Sequence, residues 1–367
     1  MKLLVIGAGL SGLLVAEQRA KAGDEVVVLE ARDRVGGRLW TLRGHFAEGQ
    51  SGELGAETLY AGQENVMALV RRLGLEPVAC GYFDPEAPPF LEQGRPLPEA
   101  ERRGITGWLR QAYAATPPAR LEGLGAWSGR LAAPAGVVAS LTAYARYTPV
   151  TALRHADAGE FARQLGHGSD SFRIRGGNDL IATRLAAGLD VRLGQAVRAL
   201  DWSGPGVVAL TEAGERIAAE RAVVTVPGPL VPALGFWPAL PPETLAALAE
   251  LTYGTASKVI VQYAERALLH AAVGPGCFTD GLPPWLVEQS PHQAGAAILL
   301  SSLPGGDAEP GVADESLYAA FDRAAAGFAG QPVTRLGQAA HSWTRDPFAR
   351  CIVRAPLGDQ RERLLPW

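Results

Sequence analysis

Three glycines near the start of the chain have the spacing of a phosphate-binding turn. They stand in Gly7-Ala8-Gly9-Leu10-Ser11-Gly12, between an apolar run and a helical pattern. In such a turn the first glycine permits a tight bend, the second lets backbone N–H groups approach a pyrophosphate, and the third allows close helix packing. Glu30 follows 18 residues after Gly12, where an acid can bind a ribose hydroxyl. The pattern predicts dinucleotide binding; the alternative is a purely structural glycine turn and a solvated Glu30.

A second glycine pair lies shortly after Glu30, with arginines on both sides. It is part of the run Glu30-Ala31-Arg32-Asp33-Arg34-Val35-Gly36-Gly37-Arg38. A guanidinium can neutralise pyrophosphate oxygens on the side opposite the first helix. Proteins that bind nicotinamide dinucleotides do not need this second element, so the run favours a flavin dinucleotide. A Gly-Gly turn flanked by surface arginines is the alternative.

Hydrophobic periodicity predicts the elements that position these residues. Residues 2 to 30 form one βαβ unit, in which KLLVIG and EVVVLE are buried parallel strands and LSGLLVAEQRAKAG is the connecting helix. Residues 64 to 73 predict an amphipathic helix, 82 to 98 a proline-rich loop, and 99 to 165 a helix-rich region. Further strands are predicted at DVRLGQAVRALDW, GVVALT, RAVVTVP, SKVIVQYAE and AAILLSSLPG, and further helices at SLTAYARY, PPETLAALAELTYG and DESLYAAFDRAAAGFAG.

Composition limits the classes of function. The 367 residues allow two domains at roughly 150 residues per domain. A net charge of −4 without a basic stripe argues against nucleic-acid binding. No apolar run reaches the roughly 18 residues of a membrane span. Three widely spaced cysteines indicate neither a disulfide framework nor a zinc site and suit a reducing, cytoplasmic setting, and no metal site is expected.

The first 41 residues resemble a known family signature. The run VIGAGLSGLLVAEQRAKAGDEVVVLEARDRVGGRLWT is similar, nearly throughout, to the N-terminal FAD signature of the flavin-dependent amine oxidase superfamily, which includes monoamine and polyamine oxidases. The resemblance implies FAD as the cofactor. It also implies cofactor contacts from Gly7, Gly9, Leu10, Ser11, Gly12, Glu30, Ala31, Arg32, Gly36, Gly37 and Arg38.

Later segments resemble further elements of the same family. Glu53-Leu54-Gly55-Ala56-Glu57 is similar to a segment whose backbone runs past the flavin ring, which implies contacts from Gly55, Ala56 and Glu57. IRGGNDL at 174 to 180 resembles the element that returns the chain to the FAD domain. Val197 stands where the family has a valine whose backbone contacts the adenine, and RAVVTVPGPL resembles the third FAD-domain strand and its crossover. Trp343 lies in a run similar to the family's W-x-x-D-P-F/Y segment near the flavin, although packing alone is an equal alternative.

Lys258 is an isolated cation within the apolar strand pattern SKVIVQY. A lysine buried in such a strand is desolvated and needs a partner or a shifted pKa, which favours a functional role. The resemblance implies that Lys258 is catalytic and holds a water next to flavin N5. The alternative is a lysine on an edge strand or on an outward face.

Three features depart from the family pattern. Thr58 stands where relatives often have Trp or Tyr, so one wall of the substrate pocket is not carried over. Cys351 lacks the family's sequence context for a covalent flavin tether, which favours a buried structural thiol. The run ending at 364 to 367 does not include the family's C-terminal strand and glycine-rich helix, so the chain is expected to lack that FAD-binding segment.

Taken with the resemblance, these patterns predict an α/β fold. A Rossmann-like, GR2-type FAD-binding domain (1–60, 166–235 and 336–367) carries an inserted α+β substrate-binding domain (61–165 and 236–335). The resemblance implies hydride transfer from a substrate C–H next to an amine to flavin N5, with reoxidation by oxygen. The alternatives are a noncatalytic flavoprotein that acts as one chain of a complex, and a carotenoid- or porphyrinogen-type FAD dehydrogenase. The expected partners are a small-molecule amine and either a partner protein or a second copy of the chain.

Overall fold

The computed structural model describes residues 1–80, 89–119, 122–147, 171–273, 276–304 and 314–354. The helices in these ranges are α1 (Leu10–Lys21), α2 (Glu64–Arg72), α3 (Glu99–Ala115), α4 (Leu124–Arg130), α5 (Ala135–Tyr147), α6 (Leu180–Ala186), α7 (Pro242–Glu250), α8 (Arg266–Val273) and α9 (Glu315–Ala329). The strands are β1 (Lys2–Ile6), β2 (Glu25–Leu29), β3 (Thr41–Leu42), β4 (Gly52–Glu53), β5 (Leu59–Tyr60), β6 (Pro77–Ala79), β7 (Phe90–Glu92), β8 (Arg95–Pro96), β9 (Ser171–Ile174), β10 (Asp190–Arg192), β11 (Val197–Asp201), β12 (Val207–Thr211), β13 (Arg216–Ala219), β14 (Arg221–Val224), β15 (Gly235–Trp237), β16 (Tyr253–Gly254), β17 (Ala256–Tyr263), β18 (Cys277–Thr279), β19 (Trp285–Glu288), β20 (Ala297–Pro304), β21 (Arg335–Ser342) and β22 (Val353–Arg354).

A four-stranded parallel sheet in the order β10-β2-β1-β14 contains the start of the chain. Its two central strands, β1 and β2, are continuous apolar runs because both of their faces are covered. Leu3, Val5 and Val28 pack in the cluster that contains Leu13 and Ala16 of α1. The alternate residues, such as Leu4 and Ile6, pack against β11 and β12. The predicted βαβ unit is confirmed as β1, α1 and β2.

The run DVRLGQAVRALDW, predicted as one strand, forms two strands in different sheets. β10 extends the parallel sheet, whereas β11 belongs to a second sheet in the order β13-β12-β11-β15. The chain changes direction between them at Gly194, whose φ of +68° lies in the left-handed region that glycine adopts readily. The single-strand prediction was therefore wrong, because the apolar pattern continues through the turn.

The largest sheet has seven strands in the order β21-β17-β20-β19-β18-β7-β8. β17 lies inside it and is antiparallel to both neighbours, β20 and β21. Ile260 packs on the side where α3, α4 and α5 supply core residues. Val259 and Val261 pack on the other side against α8 and α9. The strand that carries Lys258 is thus covered on both faces and paired on both edges.

Two parts of this sheet differ from the predicted organisation. Residues 89 to 96 of the predicted proline-rich loop contain the hairpin β7-β8, which turns at Gln93 (φ +49°) and Gly94 (φ +77°); residues 81 to 88 lie outside the described ranges. β21 belongs to the stretch assigned to the FAD-binding domain, yet it pairs with β17 of the largest sheet. The division of the chain into two domains stays a prediction. None of the helices in the described ranges is long and apolar enough to cross a membrane.

Candidate functional site

Gly7 and Gly12 lie at the two ends of the turn between β1 and α1, and only glycine fits at these two positions. Gly7 has a φ of +104°, and the hydroxyl of Thr225 donates hydrogen bonds to the carbonyls of Ile6 and Gly7. A Cβ on Gly12 would lie 2.0 Å from the Gly7 oxygen and 2.7 Å from Thr225 Oγ1. Apart from its chain neighbours, a Cβ on Gly9 would meet no atom of the described residues within 4 Å. Gly7 and Gly12 therefore serve packing, whereas Gly9 borders open space.

The second glycine pair lies directly against the first turn. Gly9 and Gly36 form a parallel bridge, and the Gly36 N–H donates to the Ala8 carbonyl at 2.8 Å. A Cβ on Gly37 would lie 3.3 Å from the Gly9 Cα. The two glycine runs, which the sequence separates by more than twenty residues, thus form one backbone cradle.

Glu30 is buried at the end of β2, where its carboxylate connects the two runs. Oε2 accepts from the Ala8 N–H at 2.7 Å and Oε1 from the Arg32 N–H at 2.9 Å. The acid is therefore held in one orientation. The alternative of a solvated strand end does not describe it, because only 6% of the residue is exposed.

A cavity of about 460 Å³ opens at this cradle, a volume typical of ligand-binding clefts. The predicted cofactor residues in its wall are Gly7, Gly9, Leu10, Ser11, Glu30, Ala31, Arg32, Gly36, Gly37, Arg38, Ala56 and Val197. The predicted residues Gly12, Gly55, Glu57, Lys258 and Trp343 are not in the wall. Strand ends and loops from four parts of the sequence are thus brought to one cavity.

The arginines at the cavity differ in how their charges are balanced. Arg32 Nη2 lies 2.6 Å from Asp346 Oδ1. Arg38 donates to the Ile352 carbonyl and to Cys351 Sγ, and no carboxylate in the described ranges lies within 4 Å of it. Arg38 is therefore the better candidate to face an anionic ligand. Burial raises the pKa of Cys351, as expected for a structural thiol.

Asp346 is buried and connects Arg32 with an aromatic cluster. Its second oxygen lies 2.9 Å from His341 Nε2, and the His341 ring packs edge-on against Trp40 and Trp343. Burial by itself raises the pKa of Asp346, but hydrogen bonds from His341 and Arg32 hold it well below its usual range. The side chain is an anion that fixes both neighbours in place.

The segment Glu53–Glu57 leads from the cavity wall towards β17 and is held by its backbone. A Cβ on Gly55 would lie 2.2 Å from the Arg38 oxygen, so only glycine fits there. Trp343 is buried, and its Nε1 donates to the Leu54 carbonyl at 2.7 Å. Asn178 Nδ2 donates to the Ala56 carbonyl at 3.0 Å. Trp343 thus positions this segment and is not part of the cavity wall.

Lys258 and Glu57 form a buried ion pair at the end of this segment. The Nζ–Oε2 distance is 2.7 Å, and the two side chains are only 6% and 8% exposed. Gln289 Nε2 donates to the same carboxylate oxygen at 3.2 Å. Lys258 lies on an interior strand, so the alternative of an edge or outward-facing lysine is wrong.

A second carboxyl group, that of Glu53, lies deeper in the same segment. Thr41 Oγ1 and the Asn178 N–H donate to its oxygens. Burial raises the pKa of Glu53 to about 7, although these hydrogen bonds act in the opposite direction. Glu53 therefore changes its charge near neutral pH.

Sequence reasoning missed several polar residues of the site. Asn178 lies in the quoted IRGGNDL run and Asp346 in the quoted tryptophan run, so both motifs could have indicated them. Gln195 and Gln289 stand in ordinary strand patterns that give no such signal. Their roles depend on contacts between segments that are far apart in sequence.

The residues present fit a dinucleotide. Gly9 leaves its backbone open to the cavity. Among the residues that the structure describes, Arg38 has no carboxylate partner and the buried Oε1 of wall residue Gln195 has no hydrogen-bond partner. A parallel βαβ unit with a glycine turn and an acid at the end of its second strand defines the dinucleotide-binding class of oxidoreductases.

Comparisons with known proteins identify the family within this class. The sequence pattern of the family described as flavin containing amine oxidoreductase matches residues 10–366. A Mycobacterium tuberculosis protein assigned as the flavin-containing monoamine oxidase AofH is 27% identical over 345 residues, which cover 81% of this chain and 73% of that protein. The chain belongs to the flavin containing amine oxidoreductase family, is an FAD-dependent oxidoreductase of the amine oxidase type and uses FAD as its cofactor.

Solved structures agree with the fold. A putrescine oxidase with bound putrescine superposes with a TM-score of 0.78 at 20% identity, over 99% of this chain and 90% of that chain. The cyclohexylamine oxidase of Brevibacterium oxydans gives the same TM-score at 17% identity, over 99% and 90% of the two chains. The predicted α/β fold of a flavin-dependent amine oxidase is therefore confirmed.

Two alanine variants test the roles assigned to Gly12 and Gly9 in the glycine turn. Gly12→Ala should lower the free energy of unfolding by about 2–3 kcal/mol or more, because its Cβ would overlap the Gly7 carbonyl. Gly9→Ala should change the stability of the flavin-free chain by less than about 1 kcal/mol, since its Cβ meets no neighbouring atom in the described part of the chain. It should nevertheless weaken FAD binding at least roughly tenfold by blocking backbone approach. Urea unfolding and flavin titration measure both, and tight FAD binding by Gly9→Ala would contradict the proposed cradle.

Asp346 should matter for stability because it balances a largely buried guanidinium. Asp346→Asn should lower the free energy of unfolding by roughly 3–5 kcal/mol, since the Arg32 charge loses its partner. The matched control is Glu76→Gln, which breaks the exposed pair with Arg175 and should leave the free energy of unfolding nearly unchanged. Urea denaturation at constant pH compares the two, and equal effects would show that Asp346 has no special role.

The raised pKa of Glu53 predicts a pH dependence of stability. The folded carboxyl group binds its proton more tightly than the unfolded one, whose pKa is near 4.5. Its stabilising contribution is therefore complete below that value and is lost as the pH rises through about 7. Glu53→Gln should gain roughly 3 kcal/mol relative to wild type between about pH 4 and pH 8, since one pKa unit corresponds to ~1.4 kcal/mol. Glu25→Gln, which removes an exposed carboxyl group, is the matched control. A pH-independent difference between Glu53→Gln and wild type would refute the shift.

Proposed function

We propose that this chain oxidises a small-molecule amine at the carbon next to nitrogen, with Lys258 as the polar side chain beside the reacting atoms. The observation that carries the proposal is the buried Lys258–Glu57 pair, because Glu57 directly follows Ala56 in the cavity wall. Bound FAD would supply the hydride acceptor and the route for the electrons to oxygen, so that the amine would be oxidised to an imine, with loss of a proton from nitrogen, and water would hydrolyse the imine. The relatives named putrescine oxidase and cyclohexylamine oxidase support an amine as the substrate.

The hydrogen-bonding capacity of Lys258 supports this role. An ammonium has three N–H donors, and Glu57 Oε2 accepts one of them. No other residue in the described ranges accepts from Lys258 Nζ. Because the side chain is 6% exposed, bulk water does not occupy the remaining donors freely. Such a group holds an ordered water or a substrate atom in a fixed position.

Glu57 acts as a positioning residue for this ammonium. A charge-assisted hydrogen bond at 2.7 Å fixes the direction of Nζ, and Gln289 fixes the carboxylate in turn. The backbone of the same segment is held by Asn178 and Trp343. Proton-bearing atoms are thus oriented by packed neighbours before a substrate arrives, which is the form of preorganisation that lowers reaction barriers.

A cytoplasmic location is part of the proposal. Cys80, Cys277 and Cys351 are all free and buried. Unpaired thiols are usual in proteins of reducing compartments, whereas secreted proteins tend to pair them.

Amine-dependent bleaching of the flavin tests the proposed reaction. The FAD-loaded chain is mixed without oxygen with a panel that includes putrescine and cyclohexylamine, and the visible absorption of the flavin is followed. We expect at least one amine to bleach it, and air to restore the colour with release of peroxide. A loaded chain that no amine bleaches would rule out the amine oxidase proposal.

Lys258 variants test the assignment of the site. Lys258→Met should slow the amine-oxidase cycle at least roughly tenfold while FAD stays bound, because the oriented N–H donors are lost. Since Lys258→Met removes the counter-charge of buried Glu57, the double variant with Glu57→Gln provides a folded comparison. Lys21→Met, on the exposed face of α1, is the matched control.

The single variant Glu57→Gln distinguishes a role in positioning the Lys258 ammonium from a role in the stability of the fold. It should lower kcat more than it raises KM and alter the pH profile of kcat, while the spectrum of bound FAD stays unchanged. Wild-type rates in Lys258→Met, or equal losses in Lys21→Met, would show that the ion pair does not serve the reaction.

A further inference from the structure

A glutamine in the cavity wall has a side chain that bonds to none of the described residues. Gln195 lines the cavity, and its Oε1 is buried with no hydrogen-bond partner among those residues. Within the part of the chain that the structure describes, its side-chain amide makes no hydrogen bond. A carboxamide offers two donors and an acceptor, and native proteins rarely bury such atoms unpaired unless a ligand or water satisfies them. The unpaired amide therefore indicates a group from outside the chain.

The backbone around Gln195 is fixed beside Glu30. The Gln195 N–H donates to the Glu30 carbonyl at 2.7 Å, and the Gly194 N–H donates to the Arg32 carbonyl at 2.9 Å. On the other side, the Ala196 carbonyl accepts from the Glu212 N–H at 2.8 Å. The amide is thus held on a short segment that is anchored at both ends.

This position identifies the part of a dinucleotide that the amide can reach. The pyrophosphate is attracted to the helix N-terminus at the glycine turn, and the acid at the end of the second strand serves a ribose hydroxyl. Gln195 lies next to Glu30 in the cavity wall, and Val197 and Glu212 line the same cavity. The ribose hydroxyls and the adenine ring supply both donors and acceptors, which matches the dual character of a carboxamide.

We propose that the Gln195 carboxamide hydrogen-bonds the adenosine half of FAD and so contributes to cofactor affinity. The proposal rests on FAD being the cofactor of the proposed function. No role in holding the described fold competes with it, because the side chain bonds to none of the described residues.

The test compares two Gln→Leu changes in the full-length chain freed of flavin. Gln195→Leu keeps the approximate volume and removes the hydrogen bonds, whereas Gln18→Leu makes the same change on the exposed face of α1. FAD binding is measured by the change in flavin fluorescence, and ADP binding is measured directly by isothermal titration calorimetry. We expect Gln195→Leu to weaken both ligands about threefold to tenfold, as for loss of a neutral hydrogen bond, and Gln18→Leu to weaken neither.

Two further readouts separate a contact from a loss of structure. The unfolding midpoint of flavin-free Gln195→Leu should equal that of wild type, and the visible spectrum of its bound FAD should be unchanged, since the flavin ring is not touched. Equal FAD and ADP affinities in Gln195→Leu and wild type would overturn the proposal, as would weaker FAD binding with unchanged ADP binding. A wild-type chain that binds ADP but not FAD would overturn the proposed function and leave the adenosine contact supported.

Discussion

Backbone meets backbone at the two glycine runs, and the geometry of the cavity depends on this close approach. Gly12 lies against the Gly7 carbonyl, Gly36 bonds to Ala8, and Gly37 lies against Gly9. Side chains at these positions would separate α1 from β1 and the second run from the first. Because the two runs lie close together, the two carboxylate oxygens of Glu30 accept hydrogen bonds from N–H groups of both runs. The absence of Cβ atoms thus creates the site as much as any side chain does.

A single segment, Glu53–Glu57, connects this cradle with the buried ion pair. Glu53–Glu57 begins beside Thr41 and Asn178 and passes Ala56 in the cavity wall. It ends at the ion pair with Lys258. Its backbone is fixed by partners from the loop after β9 and the loop after β21. Substitution of any of these partners would therefore alter the positions of both Ala56 in the cavity wall and Glu57 in the ion pair.

The buried cations Lys258 and Arg32 are each paired with a carboxylate. Lys258 is balanced by Glu57 and Arg32 by Asp346, while His341 and Gln289 hold the two carboxylates. In a weakly polar interior an unpaired charge is strongly unfavourable, so these pairs are needed for the fold to tolerate the charges at all. At the cavity, Arg38, Arg198 and Arg350 have no carboxylate within 4 Å among the described residues, and the Gln195 side chain bonds to none of those residues. We propose that these groups face the bound cofactor.

The sequence by itself determined the βαβ unit, the glycine turn with Glu30, and the family, because these features are encoded within about forty consecutive residues. It also indicated Lys258, since one cation in an apolar strand is conspicuous. It did not separate β10 from β11 or find the hairpin β7-β8, because the deciding signals are single left-handed residues within longer patterns. Only the tertiary structure joined Lys258 to Glu57, Arg32 to Asp346, and Gln195 to the wall beside Glu30. Such pairings depend on how distant strands are ordered in sheets, which the alternation of residues along one strand does not specify.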